Sequence, residues 1–493
     1  MTADACRPPW KSIAFTFLAA LAVRGGVAWS TGFDGLYGQD AYYYYEEGRR
    51  LAASFRHDGL DSVGYPVLLG ITAFLFGQQP EAGQLVGLLL GALTPAAAIW
   101  LAWLLTGRSL PALCAGLLVC LTPFHIRSSL VLMSDAPALG LLTLGVCCGV
   151  RYVRRPALPW ALASGGLLAL AVITRYASFL ALLPLGVYAL ACRQRLPGGH
   201  LAASGLFGLL ICVPELLHMR QHVPSAFLLE GWSPLNALRR QFTTADGILT
   251  YDWPVALMNL RTLAGWGFFN PVWSITALAG LWRLRERPPA LAFLLVWTGV
   301  WFGFMSGLPL VNPRYLLPLI VPLGVCAAAG AAHIGEAVRR RSRLGKGAAG
   351  LLVVCGIAGL GLGAYRSVGE ILRRKACELE AAAWVNTHID AGVSLIVAFD
   401  VAHAVQHYTA HRVIHLHEFD PERRERSGAE GVAVYLIWNE AHAARVAGRR
   451  PGTDDPMPGF AEAYLWLRDP ARHTRLARIC AWEVIRIRRK DEG

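Results

Sequence analysis

Tyr37-Gly38-Gln39-Asp40-Ala41-Tyr42-Tyr43-Tyr44-Tyr45-Glu46-Glu47-Gly48-Arg49-Arg50 stands just after the first hydrophobic segment and puts a carboxylate where membrane and water meet. Gly38 lets the backbone turn, and Asp40 opens a helix. Four tyrosines and an Arg pair suit a helix lying in the headgroup layer, apolar bodies down and polar tips up. On that helix Asp40, Tyr43, Tyr44 and Glu47 fall at i, i+3, i+4 and i+7 and share one face. Asp40 is read as the reacting group. The alternative is that it caps the helix N-terminus, a role that does not exclude the first.

The bulk numbers set the solvent. The chain has 493 residues, 55% of them hydrophobic and 16% charged, with a mean hydropathy of +0.41. That composition excludes an ordinary soluble domain and gives an α-helical polytopic membrane protein. The net charge of +13 would suit nucleic acid if its Lys and Arg shared one face, but they lie in short loops between apolar runs, which makes them a topology signal and excludes a nucleic-acid partner. Most of the 11 cysteines lie inside apolar segments and no C-x-x-C spacing occurs, so a zinc or redox centre has no support.

The run from Ser12 to about Thr31 follows Arg7 and Lys11 and resembles a signal peptide, but Arg24 interrupts it and no A-x-A site follows; it reads as an uncleaved first span. Arg24 is either a functional intramembrane charge or an arginine snorkelling to the outer interface. The apolar run from Gly64 to Gly77 is about 14 residues, short of the roughly 20 needed to cross, and reads as interfacial or re-entrant. Later spans then fall at 82–105, 110–127, 136–152, 157–174, 176–192, 200–217, 265–282, 289–307, 314–334 and 347–365. With that count the clusters at Arg108, Arg151/Arg154/Arg155, Arg193/Arg195, Arg283/Arg285/Arg287 and Arg339 to Lys346 all share the side of Arg7 and Lys11, which satisfies the positive-inside rule at every turn. The expectation is about 11 transmembrane helices plus interfacial helices, N-terminus in the cytoplasm and C-terminus outside. Few Lys beside many Ala, Gly, Leu and Arg suggest a GC-rich bacterial genome, hence the inner membrane and a periplasmic outer face.

Three further features reach that face. The loop from Ser128 to Pro137 brings Asp135 to the surface, though Ser134-Asp135-Ala136-Pro137 is also a good helix start. Thr174-Arg175-Tyr176 makes a tight turn, and Asn312-Pro313-Arg314-Tyr315 lies at the mouth of a span. Arg175 and Arg314 run against the charge bias, so topology does not account for them. Arg49 and Arg50 read as headgroup contacts, His125 and His218 as structural histidines, and Trp266, Phe268, Phe269 and Trp273 as an interface belt. The segment from His218 to Ala264, with Glu230, Trp232, Asp246, Asp252 and Trp253, reads as a structured loop with short interfacial helices.

The domain organisation is a membrane domain over 1–365 and a small C-terminal α/β extracytoplasmic domain over 366–493. In the latter, 377–388 has helical spacing, 393–399, 413–416 and 432–438 are strand-like, and 483–488 alternates as an edge strand would. Cys377 and Cys480 are its only cysteines, and outside the cytoplasm they are placed to pair.

The order of these motifs resembles the GT-C glycosyltransferases, most of all the protein-mannosyltransferase and aminoarabinose-transferase type. The residues that carry the resemblance are Gly38-Gln39-Asp40-Ala41-Tyr42, Gly64-Tyr65-Pro66-Val67-Leu68-Leu69, Leu132-Met133-Ser134-Asp135, Thr174-Arg175 and Arg314-Tyr315-Leu316-Leu317-Pro318. It covers about residues 11 to 335. The resemblance implies sugar transfer from a polyprenyl-phosphate donor to a hydroxyl of a lipid, glycan or protein acceptor on the outer face. It puts the first-loop acid at Asp40 and the second at Asp135. Where many members have His-Pro-Pro, this chain has Asp61-Ser62-Val63-Gly64, with His57 nearby.

A lipid-phosphate donor brings its own leaving group, so such an enzyme needs one base and some positive charge. Asp40 is the candidate base, desolvated by its tyrosines, and Asp135 orients the acceptor or, with Asp40, holds Mg²⁺ or Mn²⁺. Arg175 and Arg314, with Tyr315, are the candidate phosphate ligands. Asp34, Glu47, His57 and Tyr65 are secondary candidates. A transporter or flippase would show inverted repeats and broken helix pairs, and the sequence has neither; an oligosaccharide polymerase or ligase would share the arginines without needing an Asp40.

Overall fold

The computed structural model describes residues 8–57, 62–222, 231–244, 247–339, 343–390, 394–419, 433–447, 460–469, 471 and 473–487. Asp58, Asp61, Glu230 and Asp246 lie outside them. In chain order the helices are α1 (Trp10–Thr31), α2 (Asp40–Ser54), α3 (Gly64–Phe76), α4 (Pro80–Thr106), α5 (Ser109–Leu121), α6 (Pro123–Leu130), α7 (Asp135–Arg154), α8 (Leu158–Thr174), α9 (Leu182–Cys192), α10 (Gly198–His222), α11 (Val255–Ala264), α12 (Asn270–Arg283), α13 (Pro288–Ser306), α14 (Ile320–Arg339) and α15 (Arg343–His388). Short 3-10 turns at Tyr176–Ala181 and Pro313–Leu319 lead into α9 and α14.

The chain divides into two compact units. The first takes residues 1–35, 44–238 and 254–369; the second takes 36–43, 239–253 and 370–493. Helix α15 runs through the composition change at 366, and its 46 residues contribute to both.

The first unit is helical. By length and composition α1, α4, α7, Gly198–Arg220, α13 and Pro313–Val338 can each cross a membrane, and α5 with α6, bent by 57°, forms either a broken span or a re-entrant loop. The bend falls at Thr122-Pro123, where proline removes a backbone donor. The other expected spans fall on shorter helices and on the first part of α15. The run read as non-crossing is the 13-residue helix α3. Helix α4 is central and packs on α1, α5 and α7. Helices α12 and α14 cross so closely that a Cβ at Gly280 would stand 1.8 Å from the Cys326 carbonyl, and one at Gly330 1.8 Å from that of Thr276. This is how small residues let helices meet where no water drives them together.

The aromatic cluster at 266–273, expected as an interface belt, is largely packed inside the protein. Phe268, Phe269 and Trp273 are buried and only Trp266 is exposed; Phe268 stacks on Phe124 at 5.2 Å. Arg24 is wholly buried in protein rather than snorkelling to the interface. Its guanidinium donates to Ser129 Oγ at 3.2 Å and to the carbonyls of Ala20 and Cys120 at 3.1 and 3.4 Å, and it meets His125 Nδ1 at 2.8 Å. The Cys120 carbonyl is one of those the bend leaves without a helical donor, so Arg24 and His125 brace the break.

The second unit holds a five-stranded sheet in the order β4-β3-β5-β7-β6. Its strands are β3 (Ser394–Ala398), β4 (Arg412–His415), β5 (Ala433–Trp438), β6 (His473–Ile479) and β7 (Trp482–Ile487), with the hairpin β1 (Gln241–Thr244) and β2 (Gly247–Thr250) separate from it. Strands β4, β3 and β5 are parallel, and β7 is antiparallel to both of its neighbours. The alternating run expected at the edge is therefore interior: β7 lies between β5 and β6. Its alternation reflects the two faces of the sheet, not an unpaired side. Cys377 and Cys480 form a disulfide, as their isolation suggested.

Candidate active site

In the first unit three segments distant in sequence converge on Asp135. The segment before α7 is set by buried Gln84 of α4, whose side-chain amide donates to the carbonyls of Phe33 and Leu130 at 3.2 and 2.7 Å, and by the Leu132 N–H donating to the Gly35 carbonyl at 2.9 Å. Gly35 has φ +89°, and a Cβ there would meet Leu132 Cδ1 at 2.0 Å, so this crossing requires glycine. Asp135 opens α7 with its side chain 3% exposed, and Arg175 Nη1 stands 2.5 Å from its Oδ1. The Arg175 guanidinium centre lies 5.3 Å from the Tyr315 ring centroid, and that of Arg314 lies 5.5 Å from the same ring. Asp135, Arg175, Arg314 and Tyr315 thus form one cluster: a buried carboxylate ion-paired with one guanidinium, and a ring that both guanidiniums share.

Tyr65 joins them. It is fully buried on α3, edge-on to Tyr44 at 5.0 Å. Burial first, then Tyr44 and the Asp135 carboxylate, push its phenol well above the usual range. Its hydroxyl has no hydrogen-bond partner among the described residues, at a cost of about 1–3 kcal/mol for a buried group. Retaining a hydroxyl there suits a ligand oxygen that would complete it.

Behind Arg175 stands a second set of buried polar groups. Glu215 of α10 accepts the Val63 N–H at 2.7 Å and the Tyr176 hydroxyl, and Ser62 Oγ donates to the Thr174 carbonyl at 3.0 Å. These contacts hold the residues before Tyr65 against the turn that carries Arg175. One turn along α10, His218 packs on His57 at 4.5 Å between ring centroids, and His57 Nδ1 lies 3.3 Å from Glu47, which also takes Arg50 at 2.8 Å. Arg49 likewise pairs with Glu46 at 3.2 Å, so both arginines expected at headgroups are matched by their own helix. Asp34, between α1 and α2, lies near enough to Tyr45 to help burial raise its phenol. Glu215 and Tyr176 were not read as site residues; an intramembrane carboxylate within 200–217 was the available signal.

Asp40 begins α2 and is half-buried, within the 36–43 segment of the second unit. Its tyrosine neighbours do not stand tips-up in a headgroup layer: Tyr42 and Tyr45 are buried. The turn before Asp40 is clamped from both sides by Glu378, 1% exposed on α15. The Gly38 N–H donates to Glu378 Oε1 at 3.1 Å and the Tyr42 hydroxyl to Oε2 at 2.9 Å. Lys375 lies 5.5 Å from the Tyr42 ring and donates to the Tyr408 hydroxyl. Nothing in the spacing of the Cys377 to His388 helix distinguished Glu378 from the acids around it.

Burial raises the Glu378 carboxyl above the ordinary range, against the opposing pull of Tyr42, Gly38, Arg374 and Lys375. The clamped state therefore holds the proton more tightly than an open one. Its stability is greatest below the ordinary carboxylate pKa and falls as pH rises through the raised value. Amide-exchange protection of residues 36–43 in the full-length protein, corrected for intrinsic rates, is expected to fall over that window. Glu378→Gln is expected to flatten the fall, and an identical slope in both proteins would refute the clamp.

Among the described residues no group of three or more His, Cys, Asp or Glu is arranged to hold a metal, and Asp135, expected to contribute to one, is engaged by Arg175.

Residues 83–206 match the family described as dolichyl-phosphate-mannose-protein mannosyltransferase, a stretch that includes Asp135 and Arg175 and stops short of Arg314. No curated protein matches the chain. Among solved structures, the chain is similar to ArnT from Cupriavidus metallidurans in the apo state, with TM-score 0.62 at 16% identity over 94% of this chain and 97% of that one. It is similar to the same protein bound to undecaprenyl phosphate, with TM-score 0.61 at 17% identity over 95% and 97%. It also resembles the Archaeoglobus fulgidus oligosaccharyltransferase in complex with Zn and sulfate, with TM-score 0.60 at 13% identity over 91% and 70%. The resemblance read from the order of the motifs is borne out, and the fold is that of the GT-C glycosyltransferases.

Proposed function

We propose that this chain, which has the GT-C fold, is a membrane glycosyltransferase moving a sugar from a polyprenyl-phosphate donor to an acceptor hydroxyl on the outer face of the membrane. The observation that carries the reading is the Asp135–Arg175–Tyr315–Arg314 cluster. Two guanidiniums on one aromatic ring, one of them already oriented by a buried carboxylate, suit the leaving phosphate of a lipid donor. Undecaprenyl phosphate bound to ArnT, a protein of the same fold, supports the choice of donor. So does an apolar cavity of about 650 Å³ among α7, α8, α9 and α10, whose lining includes Ser178 and Phe179 of the 3-10 turn that follows Arg175; its dimensions and lining suit an isoprenoid chain.

In the proposed reaction the acceptor oxygen bonds to the anomeric carbon as the bond from that carbon to the phosphate oxygen breaks. Asp40 takes the acceptor proton. Polyprenyl phosphate departs with the bonding electrons, and Arg175 and Arg314 balance its charge. The acceptor is a lipid, a glycan or a protein. Mg²⁺ or Mn²⁺ is proposed as an aid to the departing phosphate; with Asp135 engaged by Arg175, no donor set among the described residues is arranged to hold it, and no step is routed through it.

The test incubates purified protein with a panel of radiolabelled polyprenyl-phosphate sugars and native membrane extract, with EDTA in parallel. Transfer from one donor is expected, and loss of transfer with EDTA would establish the cation. No transfer from any donor would move the reading to a polymerase, ligase or transporter.

A further inference from the structure

At the other end of α7 from Asp135, the first unit carries a group of arginines that sidedness alone does not explain. Arg108 follows α4, Arg154 ends α7, Arg283 ends α12, and Arg287 precedes α13. Arg154 and Arg287 donate to the carbonyls of Leu104 and Leu105 at the end of α4, at 2.5 and 3.2 Å, which brings both to one helix C-terminus. Burial first, then the charges of Arg108, Arg154 and Arg283, lower the Arg287 pKa, so these groups stand close enough to repel one another. Against the four stand Glu286, paired with Arg283, and Glu336, 2.7 Å from Arg108. A positive-inside bias asks only that charges lie in water on one side. It does not ask them to crowd.

Two cavities meet at this point. A crevice of about 70 Å³ is lined by Arg108, Arg283, Arg287 and His333, with Glu286 as its one carboxylate. An apolar cavity of about 560 Å³ between α5, α12, α14 and α15 is lined by Leu117, Leu118, Trp273 and Ile357 among others. Arg108, Pro111 and Ala332 line both, so a basic crevice opens directly onto a greasy slot along the helices. That is the shape of an anionic headgroup joined to an acyl chain.

We infer that Arg108, Arg283 and Arg287, with the adjoining slot, form a binding site for an anionic phospholipid of the surrounding membrane. The phosphate lies among the three guanidiniums and one acyl chain fills the slot. The excess of guanidinium over carboxylate favours a lipid with net negative charge over a zwitterionic one, because a phosphoethanolamine would bring its own cation into the crowd. Glu336 and Glu286 oppose the ligand by holding Arg108 and Arg283, so binding costs both ion pairs. The site does not depend on the sugar-transfer reading.

The test is native mass spectrometry of the full-length protein released from detergent with phosphatidylglycerol or phosphatidylethanolamine of identical chains. Phosphatidylglycerol is expected to bind more tightly, by about fivefold for each guanidinium engaged, and the preference is expected to shrink in high salt. Arg108→Gln with Arg287→Gln should abolish the preference, Leu117→Trp should weaken both lipids by filling the slot, and Glu336→Gln should strengthen phosphatidylglycerol alone. Glu336→Gln and the salt series keep the test decisive where the double variant fails to fold. Equal binding of the two lipids to wild type, tighter binding of a polyprenyl phosphate than of phosphatidylglycerol, or indifference to Glu336→Gln would each overturn the assignment.

Discussion

Asp40→Asn is expected to lower the turnover of sugar transfer by about 10²–10⁴-fold, the range that a positioned general base contributes, with the KM for the donor little changed. The substitution separates the two roles read for this residue. Asn caps helices about as well as Asp, so α2 keeps its first turn while the acceptor proton loses its destination. Asp40→Ala removes base and cap together and is expected to add a loss of about 1 kcal/mol in stability. If Asp40 only caps the helix, Asp40→Asn transfers sugar at the wild-type rate and Asp40→Ala alone is impaired. The assay must report initial rates, because slow turnover by residual electrostatic stabilisation will otherwise accumulate product and hide the defect.

The contrast between Asp40 and Glu378 shows how much of the site was legible in the sequence. Asp40 drew notice by place, as a carboxylate between a hydrophobic span and a tyrosine-rich helix, where a general base and a helix cap are the two roles open to it. Glu378 looked like any acid on an exposed helix, since its role depends on Gly38 and Tyr42, some 340 residues away. Hydrophobic length and periodicity found the membrane helices, the short helix α3 and strands β3, β4, β5 and β7 of the second unit because each rests on a local signal. They could not find long-range partners. Arg24 illustrates the same limit. Its sequence reading left function and snorkelling open, and only the bend at Thr122-Pro123, which exposes carbonyls for it to cap, shows its structural use. The aromatic run at 266–273 misled for a related reason: large aromatic side chains suit a lipid interface and also a buried packing surface, and here Trp266 and Trp273 lie against Gly359 and Gly356 of α15, which leave room for them.

Arg175→Met is the second substitution with a large expected effect. It acts in two ways that must be separated. Losing the guanidinium leaves Asp135 charged and buried without its partner, which costs about 3–5 kcal/mol of stability for a pair of this kind. Losing the donor to the leaving phosphate is expected to lower kcat/KM by about 10²–10³-fold, as removal of one transition-state hydrogen-bond donor does elsewhere. Asp135→Asn with Arg175→Met resolves the two, since the double variant has no stranded charge and is expected to recover most of the stability while transferring sugar as poorly as Arg175→Met alone. Arg175→Lys belongs in the same series: it keeps the charge but not the planar fork that can engage Asp135 and a phosphate together, and it is expected to fall between wild type and Arg175→Met in rate. Should the double variant regain transfer along with stability, the pair would be a structural brace for α7, and the phosphate would have to be held by Arg314 without it.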